Sequence, residues 1–235
     1  MKLSDARKDQ YRKLAKENMY RSRAVYKLSQ LNKSHHFLKE GMKVIDIGAA
    51  PGGWLQLASK ITGPKGTVIG IDLKEIEPIP NVITIVGSIE EEKDIAKLIS
   101  LIGGNADVVL SDLAPNVSGL WEMDHIKQID LTRKALEFTK TVLKENGYAL
   151  YKVFQGEDTA EFINYLKGFF LNVIITKPDA SRKQSSEIYV LCKRYKKRTI
   201  TNPNNQYLNS NYKALEQSLR FIEFGDITIF IYKTP

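Results

Sequence analysis

The stretch Val44-Ile-Asp-Ile-Gly-Ala-Ala-Pro-Gly-Gly-Trp54 decides the fold. A short apolar run carries one acid, Asp46, and empties into a turn built from glycine, alanine and proline. This reads as a strand, a glycine-rich turn, and a helix starting near Trp54. In an open α/β sheet such a turn lies at the carboxyl edge, where ligands bind. The helix start turns its N–H groups toward the same place. The dinucleotide fingerprint G-x-G-x-x-G is absent, because the spacing is Gly48-x-x-x-Gly52-Gly53. No Gly-Lys-Ser/Thr follows, which excludes a P-loop.

Outward from this turn, apolar runs alternate with helical patterns. Strands are expected at 43–47, 67–72, 82–86, 106–113, 147–154, 171–176 and 187–193, and helices near 53–61, 90–102, 124–145 and 157–169. Turn signals separate them at 63–66, 78–81, 103–105 and 146–147. Strands that alternate with helices form βαβ units around a parallel sheet buried on both faces. Residues 177–186 are too few for a crossover helix, so the last two strands pair antiparallel as a hairpin at the sheet's end. The expected core is a Rossmann-like α/β fold: seven strands, six parallel and one reversed, with helices on both faces.

Two flanks lie outside this core. Residues 1–40 read as helical, with Ala24, Val25, Leu28 and Leu31 at helical spacing beside Lys27. Residues 196–235 read as loop at 202–205 and 209–211, a short helix near 212–221, and a strand-like 227–232. The expected organisation is a domain over 1–195 and an extension over 196–235 with no assigned role.

The 235 residues, 43% hydrophobic, suit one such domain plus a small appendage. No run reaches the ~18 apolar residues of a membrane span. The charged N-terminus is not a secretory signal, and Asp5, Asp9 and Glu17 argue against a mitochondrial presequence. The single cysteine, Cys192, sits in an apolar run and reads as a buried strand residue, consistent with a reducing cytoplasm. Net charge is +8, and its distribution is uneven: residues 1–43 hold twelve Lys/Arg against four Asp/Glu. Tyr11, Tyr20 and Tyr26 are interleaved with them, and Lys193-Arg-Tyr-Lys-Lys-Arg198 forms a second cluster. Basic residues with interleaved rings suit a polyanion with stackable bases.

Asp72 ends the expected second strand, where a carboxylate can accept both hydroxyls of a ribose. With Asp46 and the loop backbone at the other end, the layout fits an adenosine carrying an amino acid, S-adenosylmethionine. Asp46, Gly48, Ala49, Pro51, Gly52, Gly53, Trp54, Asp72 and Leu73 form the expected cofactor set.

Three further blocks make a resemblance specific: Tyr20-Arg-Ser-Arg-Ala-Val-Tyr-Lys-Leu28, Ser111-Asp-Leu-Ala-Pro-Asn-Val-Ser-Gly119 and Tyr151-Lys-Val-Phe-Gln-Gly156. With Asp46–Trp54 they resemble the FtsJ/RrmJ family of RNA ribose 2′-O-methyltransferases, in the same order, over about residues 1–195. The resemblance implies the S-adenosylmethionine-dependent methyltransferase fold and a Lys-Asp-Lys-Glu catalytic tetrad. The matching residues are Lys27, Asp112, Lys152 and Glu187. Asp112 also borders the implied cofactor site. Members of the family often carry an acid after the third strand, near the adenine amine, where this chain has Ser88. Ser88 and Ile89 remain possible adenine contacts, although Ser88-Ile-Glu-Glu91 also reads as a capping box for the next helix, the favoured reading.

The chemistry explains these residue types. In-line methyl transfer from a sulfonium needs the ribose 2′-hydroxyl aligned and relieved of its proton. Lys152 is either the base, as a neutral amine, or the group that orients the hydroxyl; Asp112 would hold its amine and favours the charged form. Lys27 and Glu187 would orient the ribose and each other. The family divides by substrate, and the compact chain is most similar to its ribosomal branch, which implies a uridine in the peptidyl-transferase region of 23S-type rRNA. The tRNA anticodon loop and a non-catalytic RNA-binding relative are the alternatives. Phosphate contacts are expected from Arg12, Lys13, Arg21, Arg23, Tyr26, Arg182 and Lys183. No metal ligand cluster is apparent, and the expected state is a cytoplasmic monomer without a membrane anchor.

Overall fold

Alternation of side chains along each strand sorts this protein into two packed layers. In the computed structural model, which describes residues 3–182, 184–197, 219–224 and 227–232, the core sheet follows the order β3-β2-β1-β4-β5-β7-β6. Its strands are β1 (Lys43–Ile47), β2 (Thr67–Asp72), β3 (Ile83–Val86), β4 (Ala106–Ser111), β5 (Leu143–Phe154), β6 (Phe170–Thr176) and β7 (Glu187–Tyr195). Strand β7 runs antiparallel to both neighbours, and the other pairings are parallel. The reversed strand is therefore inserted between β5 and β6, with β6 left at the edge.

Among the described residues six helices accompany the sheet: α1 (Leu3–Glu17), α2 (Val25–His35), α3 (Gly53–Thr62), α4 (Glu92–Ile102), α5 (Trp121–Val142) and α6 (Thr159–Lys167). On one face, Ile45, Ile69, Val109 and Tyr151 pack with residues of α4, α5 and α6. On the other, Val44, Val68, Leu110 and Leu150 pack with α2 and α3. Period-two alternation assigns the polar positions as well. Asp46 lies between Ile45 and Ile47, Lys152 between Tyr151 and Val153, and Glu187 beside Ile188, all of which belong to the first layer. Their own side chains therefore belong to the α2/α3 face, the layer that also holds Tyr189.

Several boundaries differ from expectation. Strand β4 stops at Ser111, so Asp112 follows the strand rather than ending it. Helix α5 starts at Trp121 instead of 124, because the Asp124 carboxylate accepts the N–H groups of Ser118 and Gly119 and folds that loop onto the first turn. Strand β5 starts early, with Leu143 paired to Ala106 before a register shift. Ser88 is not the cap of α4, whose N-cap is Glu91. Its hydroxyl instead accepts the N–H of Glu90 at 3.1 Å, while its own N–H donates to Asp94.

The chain divides into two compact units, residues 1–197 and 198–235. In the second, β8 (Leu219–Phe224) and β9 (Ile227–Tyr232) form an antiparallel hairpin. The helix expected near 212–221 lies outside the described residues except at 219–221, which are strand.

Trp54 ties the glycine turn to the N-terminal segment. Only 4% exposed, it donates its indole N–H to the Ala24 carbonyl at 2.8 Å and packs on Tyr189. Trp54→Ala should lower the unfolding free energy by about 3–5 kcal/mol, the usual range for a buried aromatic. Urea titration measures it; an unchanged midpoint would mean that the indole anchors nothing.

Candidate active site

Helix α2 and three strand ends bring the four charged residues together. Lys27 Nζ lies 2.6 Å from Glu187 Oε1 and donates to the Tyr189 hydroxyl at 3.3 Å. Lys152 Nζ reaches the Asp112 carbonyl at 2.5 Å and its Oδ1 at 3.3 Å. The two pairs are joined by Tyr189, whose O–H donates to Asp112 Oδ1 at 2.8 Å. Tyr189 pairs directly with Lys152 across β5 and β7 and is fully buried. Burial, followed by the charges of Asp112 and Glu187, pushes its pKa well up, so the phenol keeps its proton. That single proton goes to Asp112, and the phenol oxygen is left to accept from Lys27.

Glu187 is held ionised. Burial pushes its pKa up, but the charge and hydrogen bond of Lys27, the charge of Lys152 and a bond from Ser181 outweigh it, and the net shift is downward. The Ser181 hydroxyl donates to Glu187 Oε1 at 2.9 Å. From the opposite face, Gln128 Nε2 donates to the carbonyls of Lys152 and Leu113, fastening α5 to both strand ends. Sequence reasoning missed Tyr189, Ser181 and Gln128. Tyr189 had a usable signal, since it lies two residues after Glu187 and shares its face.

The cofactor end consists of acids on neighbouring strands. Asp46 is fully buried, and its Oδ1 has no hydrogen-bond partner. Burial, then the charges of Asp112 and Asp72, pushes its pKa well above the carboxylate range. Asp72 accepts the N–H of Ala50 at Oδ2 and that of Lys74 at Oδ1, both at 2.9 Å, so it braces the glycine turn. Each of its oxygens keeps a second lone pair for a ligand.

The glycines themselves serve packing. A Cβ on Gly48 (φ +71°) would meet Leu113 at 2.5 Å, and one on Gly52 (φ +105°) would meet Ile79 at 2.7 Å. Gly53 likewise gives way to Ser22. On their Cβ sides these three positions of the expected cofactor set border the protein's own chain, so what they can offer a ligand is backbone. Trp54 offers a ligand only its backbone, since its ring is committed to packing. Ala49 is buried, Pro51 exposed, Leu73 76% exposed, and Ile89 packs against the core.

The basic flank forms a cleft of about 950 Å³ whose walls include Arg12, Lys13, Lys16, Tyr20 and Arg23. Burial, then the charges of Arg182 and Arg12, pushes the Arg23 pKa down, which records three guanidinium groups converging. Arg21 differs from its expected role: it donates to the carbonyls of Pro51, Glu77 and Pro78, clamping the N-terminal strap onto the glycine turn. Tyr26 accepts from Asn18 and packs against Tyr11 and Tyr20. Lys13 is exposed beside Glu17, and Lys183 lies outside the described residues. Among the described residues no group of three or more His, Cys, Asp or Glu could hold a metal ion, and no helix is long and apolar enough to cross a membrane.

A protein from Nitrosopumilus maritimus named ribosomal RNA large subunit methyltransferase E is 47% identical over 192 residues, covering 82% of this chain and 98% of that protein. A Methanothrix thermoacetophila protein of the same name is 46% identical over 187 residues, covering 80% and 72%. The crystal structure of a Plasmodium falciparum protein described as a ribosomal RNA methyltransferase superposes with a TM-score of 0.69 at 35% identity, covering 75% of this chain and 98% of that one. Fibrillarin from Aeropyrum pernix, solved with S-adenosyl-L-methionine, shares the fold alone, at 20% identity and a TM-score of 0.50, over 72% of this chain and 75% of its own. The family model described as FtsJ-like methyltransferase matches residues 20–195, and the chain belongs to that family.

Proposed function

We propose that this protein transfers a methyl group from S-adenosylmethionine to a ribose 2′-hydroxyl of large-subunit ribosomal RNA. The proposed target is a uridine in the peptidyl-transferase region. The observation that carries the reading is the convergence of Lys27, Asp112, Lys152 and Glu187 through one tyrosine hydroxyl. The names of the relatives support the ribosomal substrate.

The residues present fit the cofactor. A buried carboxylate with a partnerless oxygen, flanked by two more acids, suits a ligand that carries positive charge. When bound, S-adenosylmethionine supplies a methyl group on a cationic sulfur. Asp46, Asp72 and Asp112 would hold it, and the ligand's charge would relieve their mutual repulsion.

Lys152 positions the attacking hydroxyl. Asp112 takes two of its amine contacts, which leaves the third tetrahedral position for the substrate. That position is a lone pair in the amine and an N–H in the ammonium, so it either takes the hydroxyl proton or fixes the oxygen. In both versions much of the rate comes from holding the oxygen in line. Lys27, locked by Glu187 and Tyr189, provides the second cation at the ribose. Arg12, Arg23 and Arg182 would neutralise the phosphates of the incoming strand.

Incubation with labelled S-adenosylmethionine and unmethylated large ribosomal subunits should yield alkali-stable label at one ribose, with none in bulk tRNA. Label confined to tRNA would move the substrate to the anticodon loop. Lys152→Ala should reduce transfer by at least a hundredfold, within the usual range for a general acid–base group, with cofactor affinity unchanged. Lys152→Arg separates the roles, since an arginine donates without accepting a proton: retained transfer assigns orientation, and loss assigns the base.

Asp46→Asn tests the acidic cluster. An acid with a raised folded pKa keeps a proton that the unfolded chain releases near 3.8, so its contribution to stability falls as pH rises through that window. The asparagine variant should therefore melt higher than the parent at neutral pH without cofactor, equal it at acid pH, and bind S-adenosylmethionine more weakly. A lower melting temperature at neutral pH would show that the carboxylate is not a liability of the folded state.

A further inference from the structure

Helix α5 projects a tryptophan where the catalytic strands end. Trp121 shares one stripe with His125, Gln128 and Thr132, at the i, i+4, i+7 and i+11 positions that line one helical face. Of the inner two members, Gln128 donates to the Lys152 carbonyl at 2.9 Å, and Thr132 spends its hydroxyl proton on the Gln128 carbonyl at 2.8 Å. Trp121, the outer member, is 47% exposed. Its ring stacks on His125, with centroids 6.3 Å apart and planes at 23°, and on Phe154 at 6.1 Å and 30°. Phe154 lies two residues beyond Lys152 on β5, roughly 7 Å farther along the strand.

The support under this ring is rigid. His125 is buried, and its Nε2 accepts the Asp158 N–H at 3.2 Å. Its Nδ1 must therefore carry the proton that is donated to the Phe154 carbonyl at 3.0 Å. Gly156 is required by this arrangement, since a Cβ there would meet the imidazole at 2.7 Å. The indole is thus packed against two fixed rings, and nearly half of the residue is open to solvent.

We propose that Trp121 is a stacking platform for a nucleobase of the RNA substrate, next to the base whose ribose enters the tetrad; this rests on the RNA-methylation reading above. A ribose that reaches Lys152 brings its neighbouring bases over the same sheet edge, and Trp121 meets that edge at Phe154, the last residue of β5. Val117 and Leu120, just ahead of the helix, are exposed apolar residues as well. The Asp124 carboxylate is taken up by Ser118 and Gly119, and the exposed charges nearby, Glu122 and Lys127, are of opposite sign. Asp158, whose carboxylate lies 3.6 Å from His125 Nε2, adds a further acid beside the ring, so the platform offers a ring face, and phosphates are left to the basic cleft.

The test compares wild type, Trp121→Ala and Trp121→Phe on unmethylated large subunits and on a target-loop RNA fragment. Binding of the fragment should quench the fluorescence of wild type through Trp121, because Trp54, the other tryptophan, is buried. Trp121→Ala should weaken RNA binding and lower kcat/KM by about 5- to 100-fold, the range that one base–aromatic stack provides. Trp121→Phe should stay within a few-fold of wild type, and cofactor affinity should hold in both variants. Wild-type transfer with no quench, or with Trp121→Ala unaffected in RNA binding, overturns the platform, assigns the patch to a protein partner and leaves the methylation reading intact. Quenching and weakened binding by Trp121→Ala in a protein that transfers no methyl would keep the platform and remove that reading.

Discussion

The Tyr189 hydroxyl has one proton to give and lies between a carboxylate and an ammonium group. Because it gives that proton to Asp112, it must accept from Lys27, and the direction of each remaining bond follows. Glu187 closes the chain at one end and Lys152 at the other. The phenol reaches this position because β7 is reversed and inserted beside β5, which sets Tyr189 opposite Lys152. A parallel seventh strand would break that register and with it the coupling between the two lysines.

Both ends of the active edge carry unresolved charge in the protein alone. Three acids crowd at the ends of β1, β2 and β4, with one carboxylate oxygen buried and without a partner. Across the tetrad, three arginines converge around the basic cleft. Like charges at close range destabilise the fold, and such conflicts concentrate where ligands of opposite charge are bound. A cationic donor at one end and a polyanionic acceptor at the other would relieve both. The electrostatics thus orient the reaction, with the tetrad at the junction.

Much of the architecture was legible in the sequence because it rests on short-range physics. Short apolar runs marked the strands, and the ten residues between Thr176 and Glu187 forced a reversal. What misled was side-chain direction. Arg21 reads as one more phosphate ligand among basic residues, yet three backbone carbonyls claim it. The glycines read as part of a ligand loop, and their second task, admitting Leu113, Ile79 and Ser22 beside the backbone, left no trace in the sequence. Ser88 matched a capping box, but its hydroxyl accepts the Glu90 N–H ahead of the helix, and its own N–H goes to Asp94 in the helix's first turn.

By itself, the sequence determined the elements, the reversed strand and the identity of the four charged residues, because periodicity, loop length and motif order are local properties of the chain. Tertiary structure alone decided which groups touch. Lys27 and Tyr189 are separated by 162 positions and Asp112 and Tyr189 by 77, and no local pattern fixes a hydrogen bond over such spans. Strand order, face and register set those contacts together, so the tyrosine that joins the two lysine–carboxylate pairs becomes visible only when the sheet is assembled.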